Sequence, residues 1–425
     1  MRNQFKKFWK SLGPGLITGA SDDDPSGIIT YSAAGARLGF SAIWTMLYIL
    51  PLMTVIQEMS ARIGISSSCG LTGNIKKYYS KTLLIFISTL IIVSNTFNIG
   101  ADVYGMASAV EILTPHSTML LSWLIVVFIV LLIIILPYKK IVMVFKWLAL
   151  SLFAYVVAGL MVIDNWPLLL KQLIIPSLPF NKEGILIIVA IFGTTISPYI
   201  AFWQASEEAE EKKIKKNSDG RNLVCEYRIV TKNELRRTMN DTKIGMFFSN
   251  FIGFFVIALT ASVLFGAGIS NMETVKDAAD ALRPLAGDYA YLLFALGIIS
   301  AGLLAIPILA GSSAYVMSEI FNWPSGLNKP FSKARGFYIV IIISTILGMI
   351  IPHFGIGAVK ALIWTAIIHG IVAPFLIATL LHMANNPAIV GPNVNKKMVN
   401  FVGYLTLVIM SLAIIVFFIA HTPLF

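Results

Sequence analysis

The chain has 425 residues, of which 32 are basic and 21 acidic, so it is 12% charged and 57% hydrophobic. An ordinary soluble domain is roughly 25% charged. With a mean hydropathy of +0.81, the chain has too little polar surface for a water-soluble fold, and disordered, collagenous and disulfide-framework proteins are excluded with it. A net charge of +11 would point to nucleic acid in a soluble protein, but in a membrane protein the position of each charge matters more than the sum.

In chain order, the basic start (residues 1–10) is followed by apolar sequence without a small-residue cleavage site, so no cleavable signal peptide is expected. A membrane span needs about 20 mostly apolar residues. Eleven stretches qualify, at approximately 13–38, 42–64, 83–112, 118–137, 141–163, 184–205, 243–268, 288–318, 336–353, 358–383 and 398–420. None alternates like a barrel strand, and runs such as 120–136 are too long for one. The expectation is an all-α polytopic membrane protein forming a single transmembrane domain over 1–425.

Lysine and arginine set the orientation of such a chain. With the amino terminus in the cytoplasm and eleven spans, 25 basic residues fall on inside segments and 6 on outside segments, with Lys146 inside a span. That asymmetry predicts a multi-pass protein of the cell membrane with a cytoplasmic amino terminus and an external carboxyl terminus. It also turns the net charge into a cytoplasmic-face signal rather than evidence for nucleic acid. Residues 206–243 hold 18 charges in 38 residues and read as a solvated cytoplasmic connector. It starts with a helical extension of span six over 207–216, followed by a turn at Asn217-Ser218-Asp219-Gly220. A short external helix is expected around 272–285. Cys69 and Cys225 read as two ordinary thiols, since two cysteines make no framework and no zinc spacing surrounds them.

Two spans cannot be continuous helices. Span one contains Ser21-Asp22-Asp23-Asp24-Pro25-Ser26-Gly27, and span six contains Gly193-Thr194-Thr195-Ile196-Ser197-Pro198-Tyr199. Freed backbone groups in lipid cost several kcal/mol each, so the first span is expected as half-helices over 13–23 and 28–38 around an unwound segment. The two breaks occupy the first spans of successive groups of five. Interrupted helices at matching positions of two halves point to a 5+5 inverted-repeat secondary transporter with its site near the bilayer midplane. Repeat one then covers about 13–163, repeat two about 184–383, and an extra helix about 398–420. The three carboxylates beside Pro25 make independent proline kinks a poor explanation, because intramembrane acids are costly and usually functional.

These motifs resemble the NRAMP family of divalent-metal transporters. Gly13-Pro14-Gly15, Asp24-Pro25-Ser26-Gly27 and Ala34-Gly35-Ala36 look like the family's first span, and Ser60-Ala61-Arg62-Ile63-Gly64 like the end of its second. Ala101-Asp102-Val103-Tyr104-Gly105 is similar to the family's Ala-Glu-Val-x-Gly in span three, and Ser197-Pro198-Tyr199 keeps the proline of its Met-Pro-His. The resemblance implies the leucine-transporter fold with 11 transmembrane helices, helices 1 and 6 broken, and a metal held by an Asp and an Asn of span one, a main-chain carbonyl and a Met sulfur of span six. Here Asp24 keeps the aspartate and Thr194 takes the carbonyl position, while Gly27 replaces the Asn and Ser197 the Met. Candidate ligand positions are therefore Asp24, Gly27, Thr194 and Ser197, with Ser21 and Asp23 beside them.

An all-oxygen site with few protein ligands suits a cation that keeps several waters, Mg²⁺ first and Mn²⁺ second. This is similar to the magnesium-transporting branch related to the family. The family's span-six histidines correspond to Tyr199 and Gln204 and its span-three Asp to Ile99, which predicts transport without obligatory proton coupling. Asp102, Tyr199, Gln204 and Glu58 are assigned to the transport pathway. Glu58 also reads as an i, i+4 pair with Arg62, and His369 reads as a packed or hydrogen-bonded histidine. An ordinary proton-coupled Mn²⁺/Fe²⁺ symporter is the alternative. A cation-coupled carrier of organic solutes on the same fold is disfavoured, because Asp22, Asp23 and Asp24 would repel a substrate carboxylate. No nucleophile elbow, phosphate loop or paired metal motif supports an enzyme, and neither a cofactor nor an obligatory protein partner is expected. The partners are the divalent ion, as cargo, and the lipid bilayer.

Overall fold

The computed structural model describes residues 14–136, 149–177, 181–214, 225, 227–269 and 272–421. The basic amino terminus, the first part of span five and the turn at 217–220 lie outside these residues. All regular structure among the described residues is helical. Eight helices there are long and apolar enough to cross a membrane.

The first predicted span is two helices, α1 (Pro14–Asp22) and α2 (Pro25–Leu38). They are followed by α3 (Trp44–Ser67), a short α4 (Leu71–Tyr78), α5 (Lys81–Glu111) and α6 (Thr118–Ile135). The described part of span five is α7 (Phe153–Val162), and α8 (Trp166–Ile174) turns away from it by 120°. Span six is α9 (Lys182–Thr195) and α10 (Pro198–Ile214). The remainder comprises α11 (Lys232–Thr260), α12 (Val275–Asp280), α13 (Arg283–Ala286), α14 (Ala290–Phe321), α15 (Arg335–Gly348), α16 (Ala358–Ala384), α17 (Pro387–Val390) and α18 (Lys397–His421). Both expected breaks are present, and the first is narrower than expected, since α2 starts at Pro25 rather than at 28. The helix expected around 272–285 is the pair α12 and α13.

Small residues let the broken helices sit deep in the bundle. α1 lies against α11 and α9 against α16. A Cβ at Gly19 would collide with the Gly245 carbonyl, and one at Gly193 with the Ala366 carbonyl, so these two contacts are backbone on backbone. The Gly15 N–H, in the first turn of α1, donates 2.8 Å to Asp241 Oδ2 on α11. The lipid-facing helices contrast with this core. α6 and α18 present rows of exposed leucine, isoleucine, valine and phenylalanine, as expected of a surface solvated by acyl chains.

The charged stretch 206–243 opens with the helical extension expected of span six, and its far end is helical as well. α10 runs to Ile214, and α11 starts at Lys232 on a capping box in which Thr231 and Glu234 bond each other's backbone N–H. Cys69 and Cys225 are a disulfide with Cα atoms 5.3 Å apart, not two free thiols. The chain after Cys225 returns to the end of α3, where the Arg228 N–H donates 2.8 Å to the Ser66 carbonyl. Their separation of 156 residues hides this proximity in the sequence. Glu58 and Arg62 also take separate partners: Lys243 Nζ lies 3.1 Å from Glu58 Oε1, and Arg62 Nη1 donates 2.8 Å to Asn395 Oδ1. Tertiary contact offers each a better-placed partner than the next turn of α3 does.

Candidate metal site

The breaks in α1–α2 and α9–α10 face each other in the middle of the bundle. Each break exposes the carbonyls of one helix end and the N–H groups of the next. The carbonyl ends of α1 and α9 are the negative poles of their dipoles, so their meeting point favours a cation.

Asp24 occupies the first break in extended backbone (φ −70°, ψ 169°) and caps α2. It is 2% exposed. Its Oδ1 accepts from the Gly27 N–H at 2.6 Å and its Oδ2 from Asn98 Nδ2 at 2.7 Å. A Cβ placed on Gly27 would lie 3.3 Å from both the Asp22 carbonyl oxygen and Thr194 Oγ1, and 3.4 Å from Asp24 Oδ1. Any side chain at position 27 would therefore point at the junction of the two breaks, where three oxygens already stand within 3.4 Å of a Cβ. From the second break, the Ser197 hydroxyl donates to the Thr194 carbonyl and, at 3.4 Å, to the Gly193 carbonyl. Asp24, Gly27, Thr194 and Ser197 are thus brought together, and all are buried.

The other candidates take different positions. The Ser21 hydroxyl turns back to the Thr18 carbonyl at 2.8 Å, and the Ser21 carbonyl accepts from Tyr199 Oη at 3.0 Å. Tyr199 is accordingly a strut from α10 to the end of α1. Asp23 faces α11 with Asp22, where Ser249 Oγ lies 2.7 Å from Asp22 Oδ2 and 3.3 Å from Asp23 Oδ1. Asp102 on α5 is fully buried and lies beside the Ser26 backbone N–H at the start of α2. Gln204 donates 3.0 Å to Glu208 Oε1 further along α10. With Glu58 held by Lys243, these two belong to the end of the bundle near the charged stretch, away from the break. His369 is 1% exposed, its ring centroid is 5.5 Å from that of Tyr199, and its Nε2 has no partner among the described residues.

Asn98 and Ser249 were not singled out by their sequence. For Asn98 a signal exists: Asn95, Asn98 and Asp102 fall at i, i+3 and i+7 on otherwise apolar α5, which is one helix face. All three are fully buried. Among the described residues no group of three His, Cys, Asp or Glu side chains is arranged to hold a metal. A cation at the break would accordingly be held by one carboxylate supplemented by amide, hydroxyl and carbonyl oxygens.

Broken first and sixth spans that meet in the core of a helical bundle define the leucine-transporter fold. The solved structure of an Eremococcus coleocola manganese transporter, in complex with an aromatic bis-isothiourea compound, superposes with a TM-score of 0.72 at 20% identity, over 96% of this chain and 86% of that one. MhsT in complex with L-phenylalanine gives 0.65 at 13% identity, over 97% and 98%. Within that fold class, residues 15–420 match the Nramp family, described as natural resistance-associated macrophage protein-like, and the chain belongs to it. Relatives named divalent metal cation transporter MntH occur in Chromohalobacter salexigens and Clostridium acetobutylicum. Each is 24% identical to this chain. They cover 92% and 98% of it and are themselves covered over 87% and 92%.

Proposed function

We propose that the chain carries divalent cations across the cell membrane by alternating access at the junction of its two broken helices. It favours ions that retain much of their water, Mg²⁺ together with Mn²⁺, and needs no obligatory proton. The carrying observation is the donor set at that junction: one buried carboxylate, Asp24, among the oxygens of Thr194, Ser197 and the main chain, with no side chain on Gly27 and no sulfur at position 197. Hard oxygen donors with few protein side chains among them suit an ion that dehydrates reluctantly. The relatives' name, divalent metal cation transporter, supports the substrate class.

Uptake follows the membrane potential. Each unit charge moving inward gains about 2.3 kcal/mol per 100 mV, so a divalent ion gains about twice that. The orientation is the one that places most basic residues, including those of α10 and the start of α11, in the cytoplasm.

The test is flux into proteoliposomes containing a pH-sensitive dye. Millimolar Mg²⁺ should suppress Mn²⁺ uptake, and the lumen should hold its pH as metal enters at zero potential. Mn²⁺ uptake indifferent to Mg²⁺ would remove the hard-ion assignment. Metal-dependent acidification would replace the uncoupled reading with proton symport.

A further inference from the structure

Position 27 offers no side-chain amide, yet an amide stands at the same carboxylate from another helix. Asn98 lies on α5, is 0% exposed, and places Nδ2 2.7 Å from Asp24 Oδ2. Its Oδ1 is buried and accepts no hydrogen bond among the described residues. A buried amide with half of its bonding capacity unused is costly unless something else fills it.

We propose that Asn98 is a metal-binding residue of this transporter, its side-chain carbonyl oxygen supplying the amide ligand that Gly27 cannot. The proposal rests on the reading of Asp24 as the cation's carboxylate.

The physical argument concerns which atom of the amide faces Asp24. With no cation between them, a carbonyl oxygen against a carboxylate is repulsive, so Nδ2 turns toward Oδ2, as observed. A divalent cation on Asp24 reverses that preference. It takes over the Oδ2 lone pair, repels the NH₂ group and attracts the amide oxygen. A half-turn about the terminal torsion, which is soft in asparagine, exchanges the two atoms without moving the backbone of α5. The ion then gains an uncharged oxygen ligand of the kind divalent cations accept, and Oδ1 loses its unsatisfied state.

The surrounding side chains hold Asn98 for this role. Asn95, one turn earlier, is tied to α14 through its Nδ2, which donates 3.2 Å to the Leu309 carbonyl and 3.0 Å to Ser313 Oγ. α5 is therefore anchored one turn from Asn98, and Asp102 lies one turn on the other side. On this assignment the site spans three elements: α2 through Asp24, α9 through the Thr194 carbonyl, and α5 through Asn98. Helix α5 then responds to the ion directly.

The experiment measures Mn²⁺ binding by calorimetry on purified protein and Mn²⁺ uptake in proteoliposomes, for Asn98→Leu, Asn98→Asp and Asp24→Ala. Asn98→Leu keeps size and removes both polar atoms; it should weaken binding and raise the uptake KM by about tenfold or more, the range expected for loss of an interaction at a metal centre. Asn98→Asp keeps an oxygen in place and adds charge, so it should bind Mn²⁺ as tightly as the parent or more tightly. If Asn98 served only to donate a hydrogen bond to Asp24, Asn98→Asp would remove the donor, oppose two carboxylates and weaken binding at least as much as Asn98→Leu. That result overturns the proposal, as does parental binding by Asn98→Leu. Should the leucine variant not fold, the aspartate variant decides alone. Asp24→Ala separates the two levels: unchanged Mn²⁺ binding there removes the site reading itself, whereas loss there beside an unaffected Asn98→Leu removes only the role of Asn98.

Discussion

The two breaks solve the same backbone problem with different chemistry. The α1–α2 break is acidic and braced from outside: Asp24 by Asn98 of α5, and Asp22 and Asp23 by Ser249 of α11. The α9–α10 break is neutral and largely braced from within, the Ser197 hydroxyl on the Thr194 carbonyl and the Thr195 hydroxyl on the Ile191 carbonyl at 2.7 Å. The difference separates two requirements of a cation site. Charge comes from one strand of the junction and neutral oxygen from the other. Only the charged side needs its neighbours to supply hydrogen-bond donors to carboxylates, because buried carboxylates without donors are unstable; the neutral side is tied across by Tyr31 Oη, 2.9 Å from Thr195 Oγ1, and by Tyr199.

The comparison is tested most severely at its charged end. Asp24→Ala removes the one carboxylate that faces both breaks, and metal uptake should fall by about a hundredfold or more, beyond the range seen for loss of a supporting group at a metal centre. Initial rates of Mn²⁺ influx into proteoliposomes measure this, with monodispersity on gel filtration as the folding control. Rates close to the parent's would mean that the acidic break is only structural and that the two breaks do not differ in role.

The neutral end should affect selectivity more than rate. Ser197→Met places a thioether against a site that now offers only oxygen, and soft donors favour softer ions. The ratio of Mn²⁺ to Mg²⁺ uptake should rise about tenfold, with Cd²⁺ gaining more than either. Competition assays read the ratio directly. An unchanged ratio would show that position 197 does not face the ion and that the neutral break contributes only main-chain carbonyls.

A smaller effect is expected behind the acidic break. Ser249→Ala removes the hydroxyl shared by Asp22 and Asp23 and should cost about 1–3 kcal/mol of stability, the range for leaving a buried polar group unpaired. A thermal melt in detergent checks it. A stability change this large without a comparable change in Mn²⁺ KM would place Asp22 and Asp23 in the framework. Equal changes in both would bring them into the ion's path.

Legibility in the sequence divided along the same line. Helix breaks at Asp23–Asp24 and Ile196–Ser197 were readable because proline, glycine and polar residues interrupt long apolar runs, and the cost of free backbone groups in lipid leaves few alternatives. Asp24, Thr194 and Ser197 followed from the breaks and from the family resemblance. The braces did not. Asn98 is one of two amides in a 31-residue helix, and only its spacing from Asn95 and Asp102 hints at a polar face. Ser249, the Cys69–Cys225 bond and the Glu58–Lys243 pair join segments far apart in the chain, and no local pattern encodes their proximity. Ser21 shows the limit of reading by adjacency: it stands three residues from Asp24, yet its hydroxyl is spent on its own helix and its carbonyl on Tyr199.

Tyr199 gives the smallest and most discriminating effect, since its Oη makes one of the hydrogen bonds between the neutral break and the helices of the acidic one, 3.0 Å from the Ser21 carbonyl. Tyr199→Phe keeps the ring against His369 and removes only that bond. A strut of this kind contributes about 1 kcal/mol net, so the melting temperature should drop by about 1 °C in a chain of this length, while the Mn²⁺ KM should move by less than about threefold. The reason is geometric: the hydroxyl is directed at the end carbonyls of α1, and the Asp24 carboxylate takes its hydrogen bonds from Gly27 and Asn98 instead. A KM raised tenfold at unchanged stability would mean that the hydroxyl reaches the ion or its water shell. The neutral break would then contribute a side chain to binding from each of its flanks, and the division of labour between the two breaks would have to be redrawn around Tyr199.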